Sequence, residues 1–104
     1  MAVTQVKSAS EFQEAINYEG LTVVDFFATW CGPCKAIAPV IEKLSNANPT
    51  VKFIKVDVDE LSSVSAEVGV RAMPTFIFYK NGQKVDEVVG AAPGKVEAAL
   101  NKHK

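Results

Sequence analysis

The sequence predicts an α/β fold, a three-layer α/β/α sandwich in which a mixed central sheet of five strands is flanked by four helices. The first observation is the length of 104 residues, which suits one domain over residues 1–104 with a core of its own. The second is the alternation of strand-like and helix-like segments, which favours parallel strands joined by right-handed helical crossovers. The third is Asn81-Gly82 between the last two strand-like segments, a strong signal for a type I′ hairpin and so for an antiparallel edge.

The first three predicted elements are a strand, a helix and a second strand. Val3–Val6 form a short strand. Ser8, with Glu11 three residues later, indicates a capping box that starts a helix, which Gly20 closes. Leu21–Ala28 is β-branched and aromatic without alternation, as in a strand that is buried on both faces.

The next predicted elements are the helix Cys34–Asn46, the strand Val51–Val58 and a helix over Glu60–Val68. Pro39 lies inside the first of these helices, where it removes one N–H donor, so we expect a single bent helix. Asp59 is the expected N-cap of the second helix. The remaining elements are the two strands of the hairpin and a final helix: Thr75–Tyr79, Lys84–Val89 and Pro93–His103.

Composition excludes several classes of protein. Apolar residues make up 48% and charged residues 22%, which is the balance of a globular domain and not of a disordered or coiled-coil chain. The formal net charge is −1, so no basic surface is expected for nucleic acid. No apolar run approaches the roughly 20 residues that span a bilayer. The segment Met1–Lys7 lacks a leader pattern, so we expect a cytoplasmic protein that contacts no membrane.

Two cysteines carry the chemistry. Cys31 and Cys34 are the only cysteines, and they lie where a buried strand turns into a helix, at the end of the strand where α/β sites form. Pro33 fits the first helical turn, which puts Cys31 at the helix N-terminus, where N–H groups and the helix dipole favour the thiolate. We therefore expect Cys31 to attack a disulfide and Cys34, one turn inside the helix, to resolve the intermediate.

Asp25 is the second informative residue, because it interrupts a strand that is apolar on both faces. A carboxylate there costs several kcal/mol, by order of magnitude, unless it is paired or protonated. A bond to a backbone donor is the ordinary explanation for such a group. Our hypothesis is functional: Asp25 lies beneath the helix that bears Cys34, burial raises its pKa, and it relays the proton that Cys34 loses.

Other uses of these residue types are weaker. A closed zinc site needs four ligands, and the only histidine, His103, is expected to be solvated near the C-terminus. A structural disulfide between Cys31 and Cys34 would close too short a loop to constrain the unfolded chain. Asp57 and Asp59 share a strand face but have no third ligand, so no metal is expected. The glycines form no phosphate-binding fingerprint, so neither nicotinamide nor flavin is expected to bind.

Three segments carry the motifs of a known family: Phe27–Lys35, Met73-Pro74-Thr75 and Gly90-Ala91. Over essentially its whole length, the chain resembles the thioredoxin family, most closely the cytosolic members of eukaryotic, fungal type. The resemblance implies the thioredoxin fold and a general protein-disulfide reductase. Ala36 departs from the family, which usually has a larger Met there, but this position touches no reacting group.

The resemblance also implies roles for further residues. It assigns proton relay, through water, to Asp25, and it places Lys55 nearby as a cation that tunes the carboxylate, although the sequence alone favours an ordinary lysine on a half-exposed face. It implies a cis bond between Met73 and Pro74, whereas an X–Pro bond without this information is expected to be trans. The residues that it implies for client binding beside the cysteines are Trp30, Gly32, Pro33, Met73, Pro74, Gly90 and Ala91. A plain strand-to-helix turn would also explain Gly90.

The partners are implied in the same way. A thioredoxin reductase that uses NADPH would recharge the cysteine pair, so the chain itself would bind no cofactor. Client enzymes of the family include ribonucleotide reductase, peroxiredoxins and methionine sulfoxide reductase, and a monomer is expected.

Two other functions compete with this interpretation. An oxidising or isomerising member of the fold would usually carry His at the second position between the cysteines, where this chain has Pro33. A binding module that uses the fold only as a scaffold would need neither the cysteines nor Asp25 and Pro74.

Overall fold

The computed structural model describes residues 3–104 and confirms the predicted fold. Three parallel strands lie on one side of the sheet and an antiparallel hairpin on the other, in the order β1-β3-β2-β4-β5. The nine elements are β1 Val3–Gln5, α1 Ala9–Ile16, β2 Leu21–Phe27, α2 Gly32–Ala47, β3 Lys52–Asp57, α3 Ser62–Val68, β4 Thr75–Lys80, β5 Gln83–Val89 and α4 Pro93–His103. Met1 and Ala2, which the predictions about the domain limits and the leader include, lie outside the described residues.

Side chains from the two faces of the sheet form two separate cores. Alternate residues of β2 enter each of them, Val23 on one face and Val24 on the other. The face of Val23 is covered by α2 and α4, and the face of Val24 by α1 and α3. Because β2 is buried on both faces, each of its large apolar side chains contributes roughly 1.5–3 kcal/mol by leaving water. This double burial explains the unbroken apolar pattern of the strand.

Helix α1 begins as predicted but ends earlier. The Ser8 side chain accepts a hydrogen bond from the Glu11 N–H at 3.1 Å, as expected of an N-cap, while the Glu11 carboxylate accepts from the Lys7 N–H at 2.7 Å and not from that of Ser8. The prediction that Gly20 closes the helix is wrong, because Asn17 is the C-cap. Gly20 instead lies against the Tyr18 ring, where a Cβ atom would come within 2.7 Å of it.

The start of α3 also differs from the prediction. The helix begins at Ser62 after an N-cap, Leu61, that makes no side-chain capping bond. Asp59 is therefore not the cap. The turn before the helix is instead held by Asp57, whose Oδ1 accepts from the N–H groups of Asp59 at 2.9 Å and Glu60 at 3.3 Å.

Helix α2 is one helix with Pro39 inside it, as predicted, and it starts two residues earlier than expected, at Gly32.

The hairpin prediction is confirmed by the left-handed backbone of Asn81 and Gly82, with φ angles of 51° and 78°. The N–H groups of these two residues bond to the carbonyl oxygens of Tyr18 and Ile16, which anchors the hairpin to the end of α1.

Candidate active site

The two cysteines lie at the start of α2, just beyond the carboxyl end of β2. Cys31 is the N-cap of α2, and its Sγ accepts a hydrogen bond from the Cys34 N–H at 3.1 Å. The two residues form a disulfide, with their Cα atoms 5.3 Å apart, and each is 5% exposed. The backbone N–H groups at a helix N-terminus stabilise negative charge, so this position favours a thiolate at Cys31.

A cleft of about 410 Å³ runs beneath the start of α2. Its lining includes the side of the disulfide formed by Cys34, together with two groups that were predicted to act with it: Asp25 and Lys55. The other lining residues are Phe27, Ala28, Thr29, Lys35 and Ala38. The structure therefore brings Cys34, and not Cys31, to the same cleft as the carboxyl group of Asp25.

Asp25 lies in the apolar interior at the floor of this cleft and is 7% exposed. Burial raises the pKa of Asp25 from 3.8 to about 7, and the positive charge of Lys55 partly opposes this rise. Within residues 3–104, the Oδ1 atom of Asp25 has no hydrogen-bond partner. The carboxyl group therefore has at least one buried oxygen without a hydrogen bond to the protein.

Lys55 is the register partner of Asp25 on the neighbouring parallel strand. Its ammonium lies 5.5 Å from the centre of the Phe27 ring, a cation–π distance. In the described part of the chain, Lys55 forms no ion pair with a nitrogen–oxygen distance of 4 Å or less. Its charge therefore acts on Asp25 across the cleft and not through a direct salt bridge.

A largely apolar surface surrounds the disulfide. Trp30 is 67% exposed, and Met73 packs against the cluster that contains both cysteines. The Met73–Pro74 bond is cis, as the resemblance implied. The Gly90 N–H bonds to the carbonyl of Pro74 at 2.8 Å, with a positive φ of 100° at Gly90. The other residues expected in this surface, Gly32, Pro33 and Ala91, are exposed.

One contact at this surface was not predicted from the sequence. The indole N–H of Trp30 donates to Oδ2 of Asp59 at 2.9 Å. The neighbouring Glu60 forms an ion pair with Lys7 at 3.4 Å. The turn after β3 thus holds the exposed indole, and sequence spacing gave no sign of this because the two residues are 29 positions apart.

The comparisons with known proteins agree with this geometry. A family model described as thioredoxin matches residues 3–102. Thioredoxin-1 of Schizosaccharomyces pombe is 58% identical over 98 residues, which cover 94% of this chain and 95% of that protein. The chain belongs to the thioredoxin family.

Solved structures extend the family relationship to the whole fold. The thioredoxin of Malassezia sympodialis superposes with a TM-score of 0.93 at 53% identity, covering 97% of this chain and 90% of that one. A second solved structure concerns the thiol resolving mechanism of a yeast mitochondrial 1-Cys peroxiredoxin via the glutathione and thioredoxin systems. One of its chains superposes with a TM-score of 0.91 at 40% identity, covering 96% of this chain and 94% of that one. The protein is a thioredoxin-type protein-disulfide oxidoreductase, and its Cys31–Cys34 pair supports dithiol–disulfide exchange.

Thioredoxins typically act without a bound cofactor, and their partners are a reductase and proteins that contain disulfides. Among residues 3–104, no group of three His, Cys, Asp or Glu side chains could hold a metal ion. No helix in the same range is long and apolar enough to cross a membrane.

His103 differs from the prediction: its Nε2 lies 3.0 Å from Oδ2 of Asp86, and its side chain is only 18% exposed.

Proposed function

We propose that this thioredoxin-family chain is a general protein-disulfide reductase in which Cys31 is the nucleophile and Cys34 the resolving residue. The Cys31 thiolate attacks one sulfur of a client disulfide, which forms a mixed disulfide and releases the other client sulfur as a thiolate. The Cys34 thiolate then attacks Cys31 Sγ, which closes the Cys31–Cys34 disulfide and releases the second client sulfur. The observation that supports this division most directly is the hydrogen bond from the Cys34 N–H to Cys31 Sγ at the helix N-terminus.

Asp25 would accept the proton that Cys34 loses before the second attack. A base is most effective when its pKa is near the working pH, and burial raises the pKa of Asp25 to about 7. Cys34 and Asp25 line one cleft, which leaves room for water between them. Lys55, which lines the same cleft, would stabilise the carboxylate form of Asp25 and so adjust its basicity.

The surface around the disulfide would bind an extended segment of the client. Trp30 offers an exposed aromatic face, and Ala91 and Gly90 lie beyond the end of β5. In the described residues, no hydrogen bond involves the backbone of Met73, so its N–H and C=O are available for pairing in the manner of strand addition. Gly32 and Pro33 would complete this surface, and Pro74, which is buried, would support it through its carbonyl bond to the Gly90 N–H.

The finer partners follow from the family. A thioredoxin reductase would return electrons from NADPH to the Cys31–Cys34 disulfide, and the clients would include ribonucleotide reductase, peroxiredoxins and methionine sulfoxide reductase. The similarity to the chain from the peroxiredoxin study supports the peroxiredoxin part of this proposal. We propose a monomer of one domain, residues 1–104, that maintains the redox state of the cytosol.

Stopped-flow kinetics with a disulfide-bearing protein substrate tests the proposal. Cys31→Ser should lose all activity, and Asp25→Asn should slow the second step near pH 7 by about tenfold or more while the fold is retained. Asp86→Asn removes the same charge far from the cleft and serves as the control. Equal rates for Asp25→Asn and the parent protein at pH 7 would overturn the role of Asp25, and activity in Cys31→Ser would overturn the assignment of the nucleophile.

A further inference from the structure

A groove of about 200 Å³, which we call the hairpin groove, lies on one face of the β4–β5 hairpin. Its floor is formed by two cross-strand pairs, Thr75 with Val89 and Ile77 with Glu87. Its wall is the segment 69–72, which belongs to the loop between α3 and β4. Because Val89 is 55% exposed, the floor offers apolar surface to a side chain from outside the molecule.

The hairpin groove is continuous with the surface around the disulfide that would bind clients. Ala72 of its wall directly precedes Met73, and Val89 of its floor directly precedes Gly90. A client segment that pairs with the Met73 backbone is extended, and each of its residues advances the chain by about 3.3 Å. Such a segment would therefore reach the groove within a few residues of its reacting cysteine.

The wall of the hairpin groove is held at both ends by hydrogen bonds. At the α3 end, the carbonyl oxygen of Ser65 accepts from the Gly69 N–H at 3.0 Å, and Gly69 turns the chain out of the helix with a φ of 89°. At the β4 end, the Thr75 hydroxyl donates to the carbonyl oxygen of Ala72. Arg71 therefore lines the groove from a short segment that is fixed on either side of it.

Arg71 and Glu87 are the charged residues in the described lining of the groove. Glu87 forms an ion pair with Lys84, so its negative charge is already balanced. Arg71 is exposed, and none of the ion pairs within residues 3–104 includes it. A guanidinium presents its N–H donors in a planar fork that fits a carboxylate. The groove thus offers an unbalanced positive charge beside an apolar floor.

We propose that the hairpin groove extends the client surface and that Arg71 selects client segments that carry an acidic residue a few positions from the reacting cysteine. The client carboxylate would accept hydrogen bonds from the Arg71 guanidinium, and a neighbouring apolar residue would cover Val89. This inference rests on the proposed reductase function and adds a class of client to it. Arg71 acts on the binding of the client and not on the sulfur chemistry, so its effect belongs to the step in which Cys31 attacks.

Stopped-flow reduction of synthetic peptides tests the inference. Each substrate is a dimer of a short peptide with one cysteine, joined by a disulfide whose two sulfurs are equivalent, and the fluorescence of Trp30 follows the oxidation of the protein. In a series of such peptides, a single Glu or Gln occupies successive positions on either side of the cysteine. At one or more positions, the Glu peptide should react about threefold faster than its Gln counterpart, the size expected for an exposed ion pair. This ratio should shrink toward one at high salt.

Variants of the protein separate Arg71 from a general effect of charge. Arg71→Gln should bring the ratio of the Glu and Gln rates close to one at every position, whereas Arg71→Lys should keep part of it. Lys43→Gln removes the same charge from α2, away from the groove, and should leave the ratio unchanged. Equal rates for every Glu and Gln pair in the parent protein, or the same ratio in Arg71→Gln and Lys43→Gln, would overturn the inference while the reductase function stands. If the parent protein reduces none of the peptides, the proposed reductase function fails and the inference fails with it.

Discussion

Asp25 and Lys55 are register partners on neighbouring parallel strands, and both line the cleft that Cys34 lines. Asp25 is buried and Lys55 is half-buried, so the charge of Lys55 acts on Asp25 from within a cleft and not from open solvent. Burial favours the neutral form of Asp25 and Lys55 favours the ionised form, and the balance leaves a pKa of about 7. This pKa is the one that the proposed role of Asp25 as the base for Cys34 requires at neutral pH.

Asp25→Asn should stabilise the protein at alkaline pH. Because the pKa of Asp25 is raised from 3.8 to about 7 on folding, the unfolded chain ionises first, and the free energy of unfolding falls as the pH rises from about 4 to about 7. The variant escapes this loss. Its unfolding free energy at pH 8 should exceed that of the parent protein by on the order of 4 kcal/mol, as measured by denaturant titration.

The same titration at pH 4 is the internal control, since Asp25 is then neutral in the folded protein and the advantage of Asn should nearly vanish. A difference that is constant between pH 4 and pH 8 would mean that Asp25 is ionised throughout, contrary to the burial of its side chain.

Cys34→Ser should accumulate a covalent complex with a client protein. The remaining Cys31 thiolate can attack a client disulfide, but no second thiol is present to release the mixed disulfide. Non-reducing electrophoresis should show an adduct that separates into its two proteins when dithiothreitol reduces the mixed disulfide. The reciprocal variant Cys31→Ser should form at least tenfold less adduct, and equal amounts from both variants would contradict the assignment of the nucleophile.

Asp59→Ala should weaken client binding through Trp30. The lost hydrogen bond to the indole N–H contributes about 1 kcal/mol, so KM should rise about fivefold while turnover at saturation stays the same. Fluorescence anisotropy decay should show a more mobile indole. Glu60→Ala changes the next residue without touching that bond, and if it raised KM equally, the effect would belong to the turn as a whole and not to the indole.

The pair of Asp86 and His103 should give a small stability contribution that depends on pH. Hydrogen bonds from the Glu87 N–H and from His103 lower the pKa of Asp86 below its ordinary value of 3.8. The contribution is therefore present above about pH 4 and is lost as the pH falls through the lowered value. Asp86→Asn should lower the melting temperature slightly at pH 6, and this loss should shrink as the pH falls below about 4. A loss of equal size over the whole acid range would contradict this account.

Local signals in the sequence predicted most of the fold. The final helix Pro93–His103 has the predicted limits, because proline fixes its own φ at a value that suits a helix start. The hairpin turn at Asn81-Gly82 has the predicted backbone, because asparagine and glycine tolerate the positive φ that the turn requires. The burial of Asp25 was also predictable, since its strand is apolar on both faces.

Contacts between segments that are far apart in the sequence could not be predicted from such local signals. Asp59 looked like a helix cap, but its carboxylate bonds to Trp30, 29 residues away, while Asp57 holds the turn. His103 looked solvated near the end of the chain, yet α4 brings it to Asp86 on β5. The cis bond before Pro74 came from the family resemblance alone, since an isolated X–Pro pair favours trans.

The equilibrium reduction potential of the Cys31–Cys34 pair tests the reductase proposal most directly. Trp30, the only tryptophan, is next to Cys31, so its fluorescence should report the redox state in dithiothreitol buffers of known ratio. A reductase requires a potential at or below the glutathione poise of the cytosol, roughly −220 mV or lower. We expect a value in that range. A potential near the more positive values of oxidising members of the fold, about −120 to −180 mV, would contradict the account and make the protein an oxidant or isomerase.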